Sequence, residues 1–90
     1  MRLDKFLKVS RLIKRRTVAK GVAAAGRVEV NGRPAKPGTD VEVGDEITID
    51  YGTRRLRVRV LGVPATARAE EATSLYEVLE ETASPEGPEV

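Results

Sequence analysis

Apolar residues recur at helical spacing at the start of the chain. Leu3, Phe6 and Leu7 stand at positions i, i+3 and i+4, which is the pattern of an amphipathic helix. Asp4 falls in its first turn, where a negative charge suits the helix dipole. The pair Ser10-Arg11 interrupts the stripe and marks the start of a connection.

A second helix is predicted over roughly residues 14–25. Val18 and Val22 lie on its apolar stripe, with alanines beside them. Gly21 inside this segment lowers its helix propensity by about 1 kcal/mol relative to alanine. Gly26 is well placed to end the helix.

After Gly26, apolar and polar residues alternate with a period of two, which predicts strands. Residues 27–30 alternate, and Asn31-Gly32 is a strong signal for a two-residue hairpin turn. Residues 47–51 and 55–60 alternate again, and Val41 with Val43 is read as a short edge piece. The predicted fold is α+β, with two N-terminal helices packed on a small, mostly antiparallel twisted sheet.

The C-terminal part is less regular. The apolar residues of the segment 74–81 allow a short helix with Leu75, Val78 and Leu79 on one side. Residues 82–90 have the composition of a disordered acidic tail. We therefore divide the chain into a folded domain over 1–63, an extension over 64–81 and a tail over 82–90.

The net charge of +2 hides an asymmetry along the chain. All sixteen Lys and Arg residues lie in residues 1–68 with seven acids, which gives that part a charge of +9. Residues 69–90 hold seven acids and no base. The acidic end is therefore read as an appendix separate from a strongly basic folded part.

Eight of the first twenty residues are basic, and only Asp4 is acidic. With the apolar stripes buried, these bases must crowd the outer face of the helices and the turn between them, where like charges repel. Most charge runs are solvated helix faces, but this one lacks the usual Glu–Lys alternation. It predicts a site for the phosphates of structured RNA, formed by Arg2, Lys5, Lys8, Arg11, Lys14, Arg15, Arg16 and Lys20.

A second row of bases alternates with apolar residues along a predicted strand. Arg55, Arg57 and Arg59 would share its outer face. Two interpretations stay open, namely an edge strand protected by charge and a further contact with RNA. Because Phe6 is assigned to the core and the two tyrosines are distant in sequence, we expect recognition of RNA shape and backbone rather than base stacking.

Several kinds of chemistry are excluded or disfavoured. Without Cys or His, zinc sites, disulfides and imidazole catalysis are absent, and we expect no metal or other cofactor. Asp4 is read as structural, and Asp45 and Asp50 do not form a catalytic carboxylate pair. No apolar run is long enough for a membrane span, and no leader peptide is recognised. We therefore expect a cytoplasmic protein that is not an enzyme.

The ordered series RLDKFL, SR, GRVEVNG, K and GD, over residues 1 to about 62, resembles the RNA-binding S4 domain family, named after a ribosomal protein. The resemblance implies a helical motif, called αL, on a small sheet, with RNA bound by the two helices and a neighbouring loop.

The first twenty residues, the Lys36-Pro37-Gly38 loop and the segments EEA (70–72) and LY (75–76) are similar to small bacterial members of this family that act in ribosome-associated quality control. This resemblance implies a clamp that contacts large-subunit rRNA and peptidyl-tRNA on obstructed large ribosomal subunits. It would work with a tailing factor that recruits alanyl-tRNA. By motif position, Arg2 and Arg16 would be the leading contacts with rRNA.

Three alternatives remain from the sequence. Heat-shock members of the same family also bind large subunits carrying a nascent chain, but they have a longer, basic C-terminal extension. The chain could also be a recognition module of an RNA-modifying enzyme, although no catalytic constellation fits into the remaining residues. The helix pair could finally be a DNA-binding helix-turn-helix, but such a regulator should dimerise, and no apolar face is left for that, so we expect a monomer.

Overall fold

Two short helices begin the chain as the apolar stripes predict. The computed structural model describes residues 1–83 and places helix α1 at Leu3–Val9 and helix α2 at Arg16–Ala24. The side chains of Leu3, Phe6 and Leu7 are fully buried. The predicted stripe of α1 is therefore confirmed.

The end of α2 also follows the sequence. Val22 is buried and Val18 is partly buried against the core. Gly26 has a φ of +79°, a left-handed conformation that glycine adopts without a steric penalty. The predicted stop at this glycine is confirmed.

The remaining elements form one antiparallel sheet of five strands in the order β2-β1-β3-β4-β5. The predicted α+β class is therefore confirmed. The strands are β1 at Val28–Val30, β2 at Arg33–Pro34, β3 at Glu46–Asp50, β4 at Arg54–Val60 and β5 at Tyr76–Ala83.

The turn between β1 and β2 is the predicted two-residue hairpin. Val30 pairs with Arg33, and Asn31 and Gly32 between them both have positive φ values, +53° and +82°. This is the left-handed pair that a type I′ turn requires. The Asn31 side chain also accepts a hydrogen bond of 3.0 Å from the backbone N–H of Glu46, which ties the turn to β3.

The core fills the space between the helices and one face of the sheet. Val28, Ile47, Ile49 and Val58 are fully buried and join the buried residues of α1 and α2 in one cluster. Burial of these side chains, worth about 1.5–3 kcal/mol each, fixes the face of the sheet on which the helices lie.

The prediction of a helix over residues 74–81 is wrong, because this segment is mostly the edge strand β5. A single helical turn, α3 at Ala69–Ala72, and a 3-10 turn at Thr73–Leu75 precede it. The register of β5 shifts between its pairs Arg57–Glu80 and Val58–Val78, which leaves Leu79 as an extra residue in a bulge. The bulge lets Glu77 and Glu80, which are three positions apart, lie on one face of the strand, so a sequence spacing typical of a helix is accommodated in a strand.

Two further expectations need correction. Val41 and Val43 form no strand: Val41 is buried in a loop, and Val43 is 60% exposed. The tail expected over 82–90 is also shorter at its start, because Thr82 and Ala83 belong to β5. The rest of that tail lies outside the described residues. Between residues 1 and 83, no helix is long and apolar enough to cross a membrane.

Candidate nucleic-acid interface

All eight bases predicted from the N-terminal run lie outside the core. We call them the basic helix surface: Arg2, Lys5, Lys8, Arg11, Lys14, Arg15, Arg16 and Lys20. Lys5 and Lys8 are partly buried along α1, and the other six are exposed. The buried apolar stripes of the two helices leave these side chains no other place, as the sequence indicates.

Asp4 joins the two helices from beneath this surface. Its side chain is almost completely buried, and its two carboxylate oxygens accept hydrogen bonds from Nε and Nη2 of Arg2 at 3.2 and 3.3 Å. Nη2 of Arg16, the first residue of α2, lies 3.5 Å from Oδ1. One buried carboxylate therefore holds the two arginines side by side, and the structural role expected for Asp4 is confirmed.

The surroundings of Asp4 keep it ionised. Burial by itself disfavours the charge, but the hydrogen bond from Arg2, the charges of Arg16 and Arg2 and the backbone N–H of Lys5 outweigh it, so the pKa of Asp4 lies below its ordinary value of 3.8. The Lys5 N–H donates to Oδ1 at 2.8 Å. The carboxylate can thus orient the two guanidinium groups throughout the neutral range.

The connection between the helices forms one wall of a groove of about 530 Å³. Arg11, Lys14 and Arg15 line it from the connection, and Arg54 at the start of β4 lines it from the sheet. The hydroxyl of Tyr51 donates a hydrogen bond of 2.7 Å to the carbonyl oxygen of Leu12, which ties the connection to the sheet.

The basic helix surface is therefore not a single cluster. Arg2 and Arg16 meet at Asp4, whereas Arg11, Lys14 and Arg15 meet at the groove. A smaller hollow of about 200 Å³ lies beside Lys8 and Arg11. Lys20 is exposed one turn after Arg16 on α2 and lines neither of these two hollows.

The arginine row on β4 has a different environment. Arg57 lies 3.7 Å from Glu46 and 3.6 Å from Glu80, and Arg59 lies 3.9 Å from Glu46 and 3.3 Å from Glu77. The part of the acidic segment that the structure describes, up to residue 83, is thus no separate appendix, because β5 places Glu77 and Glu80 beside this row. Arg55 is exposed and makes no ion pair with any residue between 1 and 83.

The edge-strand interpretation of this row is wrong, because β4 has β3 on one side and β5 on the other. Exposed pairs of this kind contribute about 0–1 kcal/mol each. Their main effect is to lower the positive potential of the outer sheet face. Contact between RNA and Arg55, Arg57 or Arg59 stays a prediction.

Sequence reasoning missed two residues beside the predicted bases, Tyr51 and Arg54. The Arg54 guanidinium carbon lies 4.4 Å from the centre of the Tyr51 ring, and Nη1 of Arg54 lies 2.7 Å from Oε2 of Glu81. Arg54 directly follows the turn after β3, and a basic residue at such a turn was the one local signal available. Its approach to the helices depends on contacts between distant parts of the chain.

Comparison with known proteins identifies this arrangement. The S4 domain family model matches residues 1–47, so the chain belongs to the S4 domain family.

The most informative relatives define a narrower group within it. The chain is 58% identical over 81 residues to the RQC P-site tRNA stabilizing factor of Halalkalibacterium halodurans, covering 90% of this chain and 92% of the relative. The identity to the protein of the same name from Bacillus subtilis is 53%, covering 90% and 94%. The resemblance to quality-control members of the family is thus confirmed.

A second kind of relative is a heat shock protein. The heat shock protein 15 homolog of Aeromonas salmonicida is 40% identical over 81 residues, covering 89% of this chain and 61% of the relative. The trimeric structure of heat shock protein 15 from Vibrio cholerae superposes with a TM-score of 0.81 at 35% identity, covering 87% of this chain and 80% of the other. This chain and the Vibrio cholerae protein therefore share one fold over the superposed residues.

Proposed function

We propose that the protein is a non-enzymatic RNA-binding factor that contacts rRNA and peptidyl-tRNA on obstructed large ribosomal subunits. It would support ribosome-associated quality control, in which a tailing factor adds alanine to the stalled chain. The observation that carries this proposal is the pairing of Arg2 and Arg16 on the buried carboxylate of Asp4, in a chain that matches P-site tRNA stabilizing factors over nearly their full length.

The geometry suits a phosphate backbone. A guanidinium group presents several N–H donors in a fixed plane and can bind two phosphate oxygens. The Arg2 and Arg16 side chains are about half exposed although they contact Asp4, so each retains donors for a ligand. These two would be the leading contacts, supported by Lys5, Lys8, Arg11, Lys14, Arg15 and Lys20.

The proposal includes a cytoplasmic monomer without a catalytic reaction. Positive charge held in place can stabilise a bound RNA without a chemical reaction, and the pairing of Arg2 and Arg16 on Asp4 supports this interpretation. The trimeric structure of the Vibrio cholerae relative makes the oligomeric state worth measuring, by light scattering of the free protein.

A heat-shock type of large-subunit rescue is the second candidate. The structural similarity to heat shock protein 15 favours it. The higher identity to the stabilizing factors, 58% against 40%, favours the first candidate.

Co-sedimentation with ribosomal particles tests the proposal. We expect enrichment on free large subunits that carry peptidyl-tRNA, and loss of this enrichment in Arg16→Ala. The matched control is Arg33→Ala, which removes the same charge from the exposed strand β2 outside the basic helix surface. An even distribution over all ribosomes would contradict the quality-control role, and preference for duplex DNA over structured RNA of equal charge would contradict RNA binding.

A further inference from the structure

The groove between the helix connection and the sheet differs in character from the rest of the basic helix surface. Its positive side chains are Arg11, Lys14, Arg15 and Arg54, and none of the described residues that line it is acidic. Arg54 is paired with Glu81 at 2.7 Å, so the repulsion at the groove comes mainly from Arg11, Lys14 and Arg15. An anion bound among these three side chains would relieve it.

The floor of the groove is apolar. Val18 lines it with a partly exposed side chain, and Leu12 and Ile13 line it with 9% and 5% of their surface exposed. A surface that contacts only phosphates has no use for such a floor, whereas the sugar and base of a nucleotide offer apolar faces to it. The volume of about 530 Å³ lies within the range of pockets that hold small organic groups.

Tyr51 makes the groove rigid. Its hydroxyl holds the connection through the Leu12 carbonyl oxygen, and its ring packs against the Arg54 guanidinium. The residue is only 3% exposed, so its ring offers almost no surface to a ligand. Arg54 contacts Glu81 and the Tyr51 ring and still has 38% of its side chain exposed, so its planar guanidinium group can also contact a base.

From these contacts we infer that the groove binds one unpaired nucleotide of a structured RNA. Its phosphate lies against Arg11, Lys14 and Arg15, and its nucleoside lies between the apolar floor and Arg54. The inference rests on the proposed function and deepens it, because it assigns an RNA feature, an extruded nucleotide, to a defined part of the surface. Single-stranded and bulged positions are the places where RNA presents such a group.

The test compares two RNA hairpins of equal length and charge. One is fully paired, and the other carries a single unpaired 2-aminopurine, whose fluorescence changes when its stacking changes. We expect the protein to prefer the bulged hairpin by about tenfold, as a single well-packed base would give, with a fluorescence change on binding.

Arg54→Ala and Lys14→Ala should each remove most of this preference, and Lys14→Ala should also weaken binding to the paired hairpin, because Lys14 is one of the supporting contacts. Lys14 is exposed, which makes the second variant informative even if Arg54→Ala, which also loses the contact with Glu81, unfolds. The control Arg33→Ala should weaken binding to both hairpins equally and keep the preference.

The failures are distinguishable. Equal affinity of the unmodified protein for the two hairpins overturns the nucleotide groove and leaves the proposed function intact. Failure to bind either hairpin at low salt contradicts the proposed function itself. A preference that survives both groove variants also overturns the inference.

Discussion

Arg11 occupies a backbone position that glycine would fill at lower conformational cost. It follows α1 with a φ of +61°, and a left-handed conformation costs a residue with a side chain about 1 kcal/mol or more. The chain is held there by backbone hydrogen bonds, including one of 3.0 Å from the Ile13 N–H to the Leu7 carbonyl oxygen. The strained backbone at residue 11 therefore carries a positively charged side chain that lines the groove.

Arg11→Gly should therefore separate stability from binding. We expect the free energy of unfolding to rise by roughly 0.5–1 kcal/mol, because the strain is relieved, and the affinity for structured RNA to fall. Urea unfolding and fluorescence anisotropy measure the two effects. Arg11→Ala is the control, since it removes the cation and keeps the strain; a less stable Arg11→Gly protein would show that the side chain stabilises the fold.

Asp4 pairs with Arg2 and Arg16 of the basic helix surface, and its contribution to the stability of the fold depends on pH. Its folded-state pKa lies below the ordinary value of 3.8, so the ionised form is favoured in the folded protein. The resulting stabilisation is complete above pH 3.8 and is lost as the pH falls through the folded-state pKa, because the unfolded chain takes up the proton first.

Asp4→Asn should show this dependence. We expect a loss of about 1–2 kcal/mol at pH 7, because a buried charge-assisted hydrogen bond is removed while the half-exposed arginines remain solvated. The difference from the unmodified protein should shrink as the pH falls below 3.8 in denaturation measurements. A difference that stays constant down to pH 2 would contradict the ionised role of Asp4.

At the scale of elements, pairing with β5 changes the net charge of the face that β4 presents. The arginine row of β4 looks fully basic in the sequence, but two of its members lie beside carboxylates, one of which, Glu46, is on β3. Glu77 and Glu80 reach this face because the bulge at Leu79 turns a spacing of three into a shared side. Strand pairing therefore decides how much positive charge the sheet presents.

Two variants of β4 test this difference. Arg55→Ala should weaken RNA binding more than Arg57→Ala, because Arg57 is partly neutralised by Glu46 and Glu80 whereas Arg55 has no ion pair between residues 1 and 83. Anisotropy at low salt measures both affinities. Equal losses would contradict the effect of the ion pairs, and no loss in either variant would show that the prediction of an RNA contact on β4 is wrong.

Across the whole molecule, the charge is distributed unevenly between two sides. Among residues 1–83, the two helices and the residues that precede and connect them carry eight bases and one buried acid, and the arginines on the outer face of the sheet are partly compensated. A single positive side orients the protein on a polyanion and speeds encounter. Association with RNA should therefore depend strongly on ionic strength.

The salt dependence gives a count of the contacts. For about six phosphate contacts we expect the logarithm of the association constant to fall with the logarithm of salt concentration at a slope of about −4 to −5. Titrations of one RNA hairpin at several salt concentrations measure it, and Arg16→Ala should reduce the slope by about one unit. A slope near zero would contradict backbone recognition.

Many features of this protein can be predicted from residues that lie close together in its sequence. The helices, the Asn31-Gly32 hairpin and the outward position of the eight bases follow from periodicity and turn chemistry, because each depends on residues a few positions apart. The chemical character of the candidate site was predictable for the same reason. A buried apolar stripe leaves charged neighbours no position except the surface.

The tertiary structure decided the rest, and the reason is distance along the chain. Tyr51 meets Leu12 across 39 positions, and no local pattern records that contact. β5 is a strand because β4 offers it a hydrogen-bonding edge and opposite charges, although its own spacing of apolar and acidic residues suits a helix equally well. Local preferences amount to tenths of a kcal/mol per residue, so the pairing available in the folded chain outweighed them.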